Sequence, residues 1–333
     1  MKKLLSFLLI FILLFLVGCQ ADPPENLPVS DPQDTPSDPE PTPFVPPVPY
    51  AKQYSYPEGM NFRILDTGAI ALSSLDGGFA DRKTEYTLAW EKTVNVSDDT
   101  AERSKSISVG DRTVTGQYQK IERNPYQMTP SFVYADGEDY RFSVHAEKGH
   151  LTEFTDHERV KALTAVDPSA AISRDAAIAT ASAFVGEIVD VSEYQITCEN
   201  KETYYLVSLI KCFRGVESID KALVHVSMMG EIVHYYAFAL GELSSDLVLN
   251  ISPTDADAAV LAKVEEIYYE NLVRSYHFID ISIEGKCVIL AEDGTLALLY
   301  DLEVTAKKQV SETAFMTDAT RPQFVLCEGT AAE

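Results

Sequence analysis

The stretch ALVHVSMMGEIVHYYAFAL, Ala222 to Leu240, decides the fold class. Apolar and polar residues alternate on either side of Met229-Gly230, the pattern of two half-buried strands joined by a tight turn. A two-residue turn at that point sets His225 directly opposite His234 on one face of the hairpin. The same scheme of strand, glycine turn and strand recurs at Phe142 to Phe154 and at Val288 to Tyr300, where the turn is Asp293-Gly294. Tyr194 to Thr197 and Tyr204 to Phe213 read as further strands just upstream of the opening stretch.

Working outward, two segments change period from two to helical. The first opens at Ser173 and runs to about Glu187, with Ala177, Ala181, Phe184 and Ile188 on one face. The second opens at Ser252, with Pro253 at the first helical position and Asp255 completing an S-x-x-D cap. Its apolar stripe is Val260, Val264 and Ile267, flanked by Leu261, Tyr268 and Leu272, with Lys263, Glu266 and Glu270 facing water. Strands follow each helix, and the two Ile-Ser starts, Ile172-Ser173 and Ile251-Ser252, lie 79 residues apart. That spacing predicts an internal repeat. From Asn61 to Phe154 the period is mostly two, as in Tyr86 to Trp90, Arg112 to Thr115 and Tyr140 to Val144. The predicted fold class is α+β: a β-rich unit over 51–165, then two helix-on-antiparallel-meander repeats over 166–245 and 246–333.

Ile172-Ser173-Arg174-Asp175-Ala176-Ala177, Tyr204 to Val207, Val224 to Ser227 and Gly230-Glu231-Ile232 together resemble PepSY-type repeats. Ile251 to Tyr300 is similar with one fewer strand before the hairpin, and Tyr140 to Leu151 matches only the last hairpin. The resemblance covers roughly 166–305. It implies a small α+β module used for binding or inhibition in extracytoplasmic bacterial proteins, best known beside secreted peptidases, and it brings no catalytic residues. A weaker similarity is to membrane-anchored regulators of sensor histidine kinases, which normally keep a transmembrane helix.

The amino-terminal residues speak of location. Lys2 and Lys3 precede an apolar run from Leu4 to Val17, too short for a span of about 20 residues and suited to a signal peptide over 1–18. The run ends in Leu16-Val17-Gly18-Cys19, which resembles the lipobox of bacterial lipoproteins. The resemblance implies lipidation of the Cys19 thiol, with the membrane as partner and the protein on its extracytoplasmic face. Residues 19–50 form the lipidated Cys and a tether. Gln20 to Tyr50 holds 11 of the 17 prolines and no basic residue, so it favours a stiff polyproline II spacer reaching roughly 90 Å.

The chain of 333 residues carries −24, and setting aside Lys2, Lys3 and the six acids of the tether leaves −20 on Ala51 to Glu333. Such a charge disfavours nucleic acid. His145, His150 and His157 lie within thirteen residues, yet no metal-binding motif frames them. Ser208 with Lys211 and Ser218 with Lys221 match S-x-x-K, which needs a helix, whereas Ser208 sits in a strand. Cys198, Cys212, Cys287 and Cys327 form no C-x-x-C and read as buried thiols. Asp136, Glu138 and Asp139 around Gly137 read as a solvated turn. Neither catalytic residues, a metal nor a cofactor is expected. The expected function is non-enzymatic binding or regulation of an envelope protein or wall polymer, with Tyr204, Tyr235, His225 and His234 as the contact. The alternatives are a solute-binding lipoprotein of a transporter and an envelope hydrolase using Asp, Glu or His. Replacing Cys19 with Ala is expected to release the protein from membranes in a carbonate wash; retention would overturn the lipobox reading.

Overall fold

The computed structural model describes residues 53–65, 96–122, 130–164, 169–272, 278–291, 293–311 and 313–330. The signal peptide, Cys19, the tether and the strand expected at Tyr86 to Trp90 lie outside the described residues. All strands described belong to the unit Phe44–Glu333. In chain order they are β1 (Met60–Leu65), β2 (Ser104–Val109), β3 (Arg112–Glu122), β4 (Ser131–Asp136), β5 (Tyr140–His145) and β6 (Leu151–Asp156). Helices α1 (His157–Ala162) and α2 (Arg174–Gly186) follow, then β7 (Tyr194–Asn200), β8 (Tyr204–Phe213), β9 (Val216–Ser227) and β10 (Ile232–Phe238). The chain continues through α3 (Pro253–Leu272), β11 (Phe278–Leu290), β12 (Leu296–Gln309) and β13 (Phe315–Gly329).

These strands join in one 13-stranded sheet of order β1-β13-β12-β11-β9-β10-β6-β5-β4-β3-β2, with β8 against β9 and β7 against β8. Neighbours are antiparallel except β9 and β11, which meet in parallel at Ser218 and Val288. This corrects the α+β expectation of a β unit followed by two helix-on-meander repeats. Strand β10, assigned to the first repeat, pairs with β6 of the β-rich unit through Tyr235 and Phe154. Strand β1 pairs with β13, Phe62 opposite Cys327. Periodicity shows that a segment is a strand but not which edge it will cover, and an uncovered edge takes whatever partner the whole chain offers.

The two expected helices form as α2 and α3, whereas α1 was not expected. Ser173 caps α2, its Oγ accepting from the Ala176 N–H at 3.1 Å. Ala177, Ala181, Phe184 and Val185 are buried, and the Phe184 ring meets Tyr235 edge-on at 5.0 Å. Small alanines on this face let the helix lie close over a core containing Phe142, Phe154, Val207 and Val224. Helix α3 buries Val260 and Val264 against Leu298, Tyr300 and Val325. Ile267, expected in that stripe, is 36% exposed, while Tyr268 packs against the core and donates to Gln323 Oε1 at 3.0 Å. Among the described residues no helix is long and apolar enough to cross a membrane.

Strand β9 is where the sheet forks. One edge runs along β8 from Tyr204–Ser227 to Phe213–Val216. The other edge serves β10 from Val226 to Lys221 and then β11 at Ser218. At the fork sits Asp220, fully buried, whose carboxylate accepts from Tyr194 OH at 2.7 Å, Gly241 N–H at 2.9 Å and Leu243 N–H at 3.3 Å. Burial pushes its pKa up, against the pull of these donors and of Lys211. The chain leaves β10 through left-handed Ala239 (φ 46°) and Gly241 (φ 70°). A Cβ at Gly241 would also lie 2.9 Å from Val189 Cγ1, so glycine is required there twice over. Lys211 is buried and holds Glu193 and Ser245, and in β8 a spacing of three puts Ser208 on the opposite face.

Asp220→Ala would leave the buried Tyr194 hydroxyl, the buried Leu243 amide and the part-buried Gly241 amide without this acceptor. It is expected to lower stability by about 3–4 kcal/mol in urea denaturation, and Tyr194→Phe by about 1–2 kcal/mol. A loss within about 0.5 kcal/mol for Asp220→Ala would show that the fork does not depend on the carboxylate.

Candidate functional site

The strand registers place the expected contact residues. Across β8, β9, β10 and β6, Val207, Val224, Tyr235 and Phe154 align on the side covered by α2. The next row, Leu206, His225, His234 and Thr155, alternates onto the opposite face, as does the row Ser208, Leu223, Tyr236 and Glu153. His225 and His234 are thus opposed, although the turn is not the two-residue one expected: Ser227 N–H donates to Glu231 O across a three-residue loop, and the ladder slips by one between Ile232 and His234 to bring the histidines opposite.

On this opposite face five rings form a strip. Tyr204 stacks on His225 at 4.5 Å between centroids and 16° between planes. His225 meets His234 at 4.8 Å, His234 lies 6.4 Å from Tyr236, and Tyr236 contacts Phe238 at 4.8 Å. The Lys221 ammonium lies 5.0 Å from the Phe238 centroid, a cation–π contact at the end of the strip. Tyr204, His225, His234 and Tyr236 are all half-buried, so ring surface remains accessible.

Tyr235 is corrected. It was expected to face a partner, but it is 0% exposed, with its hydroxyl donating to Leu151 O at 3.5 Å. Residues 234 and 235 point to opposite sides of a strand, so they cannot share a contact face. Tyr236, two positions from His234, takes that place. The signal was present in the alternation itself.

Electrostatics follow from burial. Desolvation first, then the neighbouring His234, pushes His225 down to about 4. His234 is likewise lowered by burial and by His157, and its Nδ1 is hydrogen-bonded to Thr155 Oγ1 at 2.9 Å. Beside them burial raises Glu153, whose partners are Arg141 at 3.9 Å and Ser143 Oγ at 3.4 Å. Burial also acts to raise Glu122, but Lys120 and Arg141 outweigh it and hold that carboxyl low.

Of the three histidines clustered between 145 and 157, two come together. The His145 and His150 rings lie 4.9 Å apart, and His145 Nε2 is 3.3 Å from Glu242 Oε1. Lys148 Nζ lies 2.6 Å from the same oxygen. Burial opposes the charge on Glu242, yet His145 and Lys148 bring its pKa to about 2. His157 does not join them; it opens α1. Among the described residues no group of three or more His, Cys, Asp or Glu is arranged to hold a metal ion. With the Lys148 ammonium already on Glu242, a cation there would meet a like charge. Cys198, Cys287 and Cys327 are buried and Cys212 is half-buried.

No protein-family model matches the chain, and no curated protein matches it. Among solved structures it is similar to the Bacillus megaterium YpeB C-terminal domain, at 10% identity over 72% of this chain and 95% of that one, with a TM-score of 0.29. That is a distant structural likeness, too low in both measures to carry an activity or a partner across.

The neutral histidine makes stability depend on pH. The unfolded chain binds a proton near pH 6.5, whereas folded His225 binds it only near pH 4. Its contribution is therefore complete above about pH 6.5 and is lost as pH falls towards 4, on the order of 2–3 kcal/mol. Glu242, held near 2 in the fold, extends the loss below about pH 4.5. Urea denaturation at a series of pH values is expected to show this slope, and His225→Gln is expected to flatten its upper part. An unchanged slope in that variant would contradict the assignment.

Proposed function

We propose that this chain is a lipid-anchored protein of the extracytoplasmic membrane face that binds or regulates an envelope partner without catalysing a reaction. The Leu16-Val17-Gly18-Cys19 lipobox and the Pro-rich tether support the anchoring. One observation carries the binding: the strip Tyr204, His225, His234, Tyr236 and Phe238 on the face away from α2. Aromatic rings supply large contact area at low conformational cost and are enriched where proteins meet partners. The −20 carried by the folded part disfavours a phosphate-rich polymer and favours a neutral or basic surface.

Photo-crosslinking in intact cells tests this. A photoreactive phenylalanine at position 204 or 236 is expected to give a discrete envelope adduct, and the same group at the exposed Val248 is expected to give none. Absence of adducts from 204 and 236 counts against the face. Turnover of peptidoglycan or casein, abolished by Glu153→Gln, would replace the binding reading with an enzymatic one.

A further inference from the structure

At the end of the ring strip a groove of about 140 Å³ opens between α1 and the tip of the β9–β10 hairpin. Leu163 and the buried Met228 and Val233 line it, and Met229 stands at its lip with 63% of its surface exposed. Arg159 and Glu231 form its polar side and pair with each other. Arg159 is also 3.4 Å from the buried Asp156, so its charge is already compensated from two directions. Thr203, which also borders the groove, directly precedes Tyr204, and Tyr204 pairs with Ser227 at the same hairpin end. The groove and the rings therefore form one continuous surface.

Size and chemistry narrow what the groove can take. A dry cavity of about 150 Å³ holds one benzene, so this volume suits a single Leu, Ile, Met or Phe side chain and is too small for a cofactor. Two methionines on the wall give it an adaptable, polarisable lining. On the rim the Glu231 charge is already paired with Arg159, but residues 51–333 as a whole carry −20. A basic residue beside the apolar anchor would therefore be attracted, and an acidic one repelled.

We infer that this groove is the anchor pocket for a protein partner, which inserts one apolar side chain flanked by Lys or Arg while neighbouring residues lie across the ring strip. The inference rests on the binding function proposed above and selects a protein over a wall polymer, which has no such side chain. Interfaces of this kind concentrate their energy in one buried anchor at the centre of a larger contact.

The test uses the full chain with ¹³C-labelled methionine methyls, the signals of Met228 and Met229 being assigned by Met228→Leu and Met229→Leu. Acetyl-Leu-Lys-amide is expected to shift both methyls saturably. Acetyl-Gly-Lys-amide, without the anchor, is expected to bind about tenfold more weakly or worse, and acetyl-Leu-Glu-amide several-fold more weakly. Ala162→Phe, at the surface end of α1, is expected to fill the groove and abolish the response with the remaining methyl spectrum unchanged. No shift with acetyl-Leu-Lys-amide, or an equal response to acetyl-Gly-Lys-amide, overturns the pocket. Adducts from position 204 without methyl shifts would refute the pocket and leave the binding function standing; methyl shifts without adducts would do the reverse.

Discussion

A strand has two edges, and β9 must serve three neighbours. It does so by giving one edge to β8 along its whole length and dividing the other between β10 and β11. That division forces the chain to leave β10 abruptly at Ala239 to Gly241, where the backbone amides of Gly241 and Leu243 point inward. Asp220 accepts from both and from the Tyr194 hydroxyl, so one buried carboxylate closes the gap between the β10 and β11 pairings. Burying that charge costs energy, as its raised pKa shows, but leaving the Tyr194 hydroxyl and the Leu243 amide unpaired in the interior would cost more.

The position of the fork explains how the cores are divided. Residues packed under α2, such as Val224 and Tyr235, lie on the β10 side. Residues under α3, such as Val288 and Leu298, lie on the β11 side, and Phe213 and Val216 at the β8–β9 turn belong with them. With α2 occupying one face of β8, β9 and β10, the alternation of those strands delivers His225, His234 and Tyr236 to the other. The β9–β10 turn completes the arrangement, because Ser227 Oγ accepts from the N–H groups of Met229 and Glu231 and fixes the hairpin end that borders the groove. The ring strip and the groove are thus consequences of one hairpin held in one register.

What was legible in the sequence was local. Ser173 and Ser252 mark the starts of α2 and α3 because capping depends on residues three positions apart. His225 and His234 are opposed as expected, but by a different route: the hairpin closes between Ser227 and Glu231 around Met228-Met229-Gly230, and an irregularity before His234 restores the pairing that a two-residue turn would have given. Pairing between β10 and β6, or β1 and β13, was not legible, since nothing in a strand's own alternation names a distant edge. For that reason three regular-looking units were expected where one sheet forms. Two features were readable but passed over. Tyr235 shares parity with the core positions of β10, not with His234. Asp220 shares parity with Ala222, Val224 and Val226, so an acid on the buried side of β9 lay hidden inside an S-x-x-K coincidence.

The central claim is that β9 and Asp220 make a single cooperative body of the two halves of the sheet. Native-state hydrogen exchange, resolved by residue, tests it most directly. The account predicts that the most protected amides of β6 and β10 and those of β11 and β12 exchange through one common opening, which Asp220→Asn makes more frequent on both sides alike. Two distinct opening free energies, with the substitution affecting only one half, would contradict it.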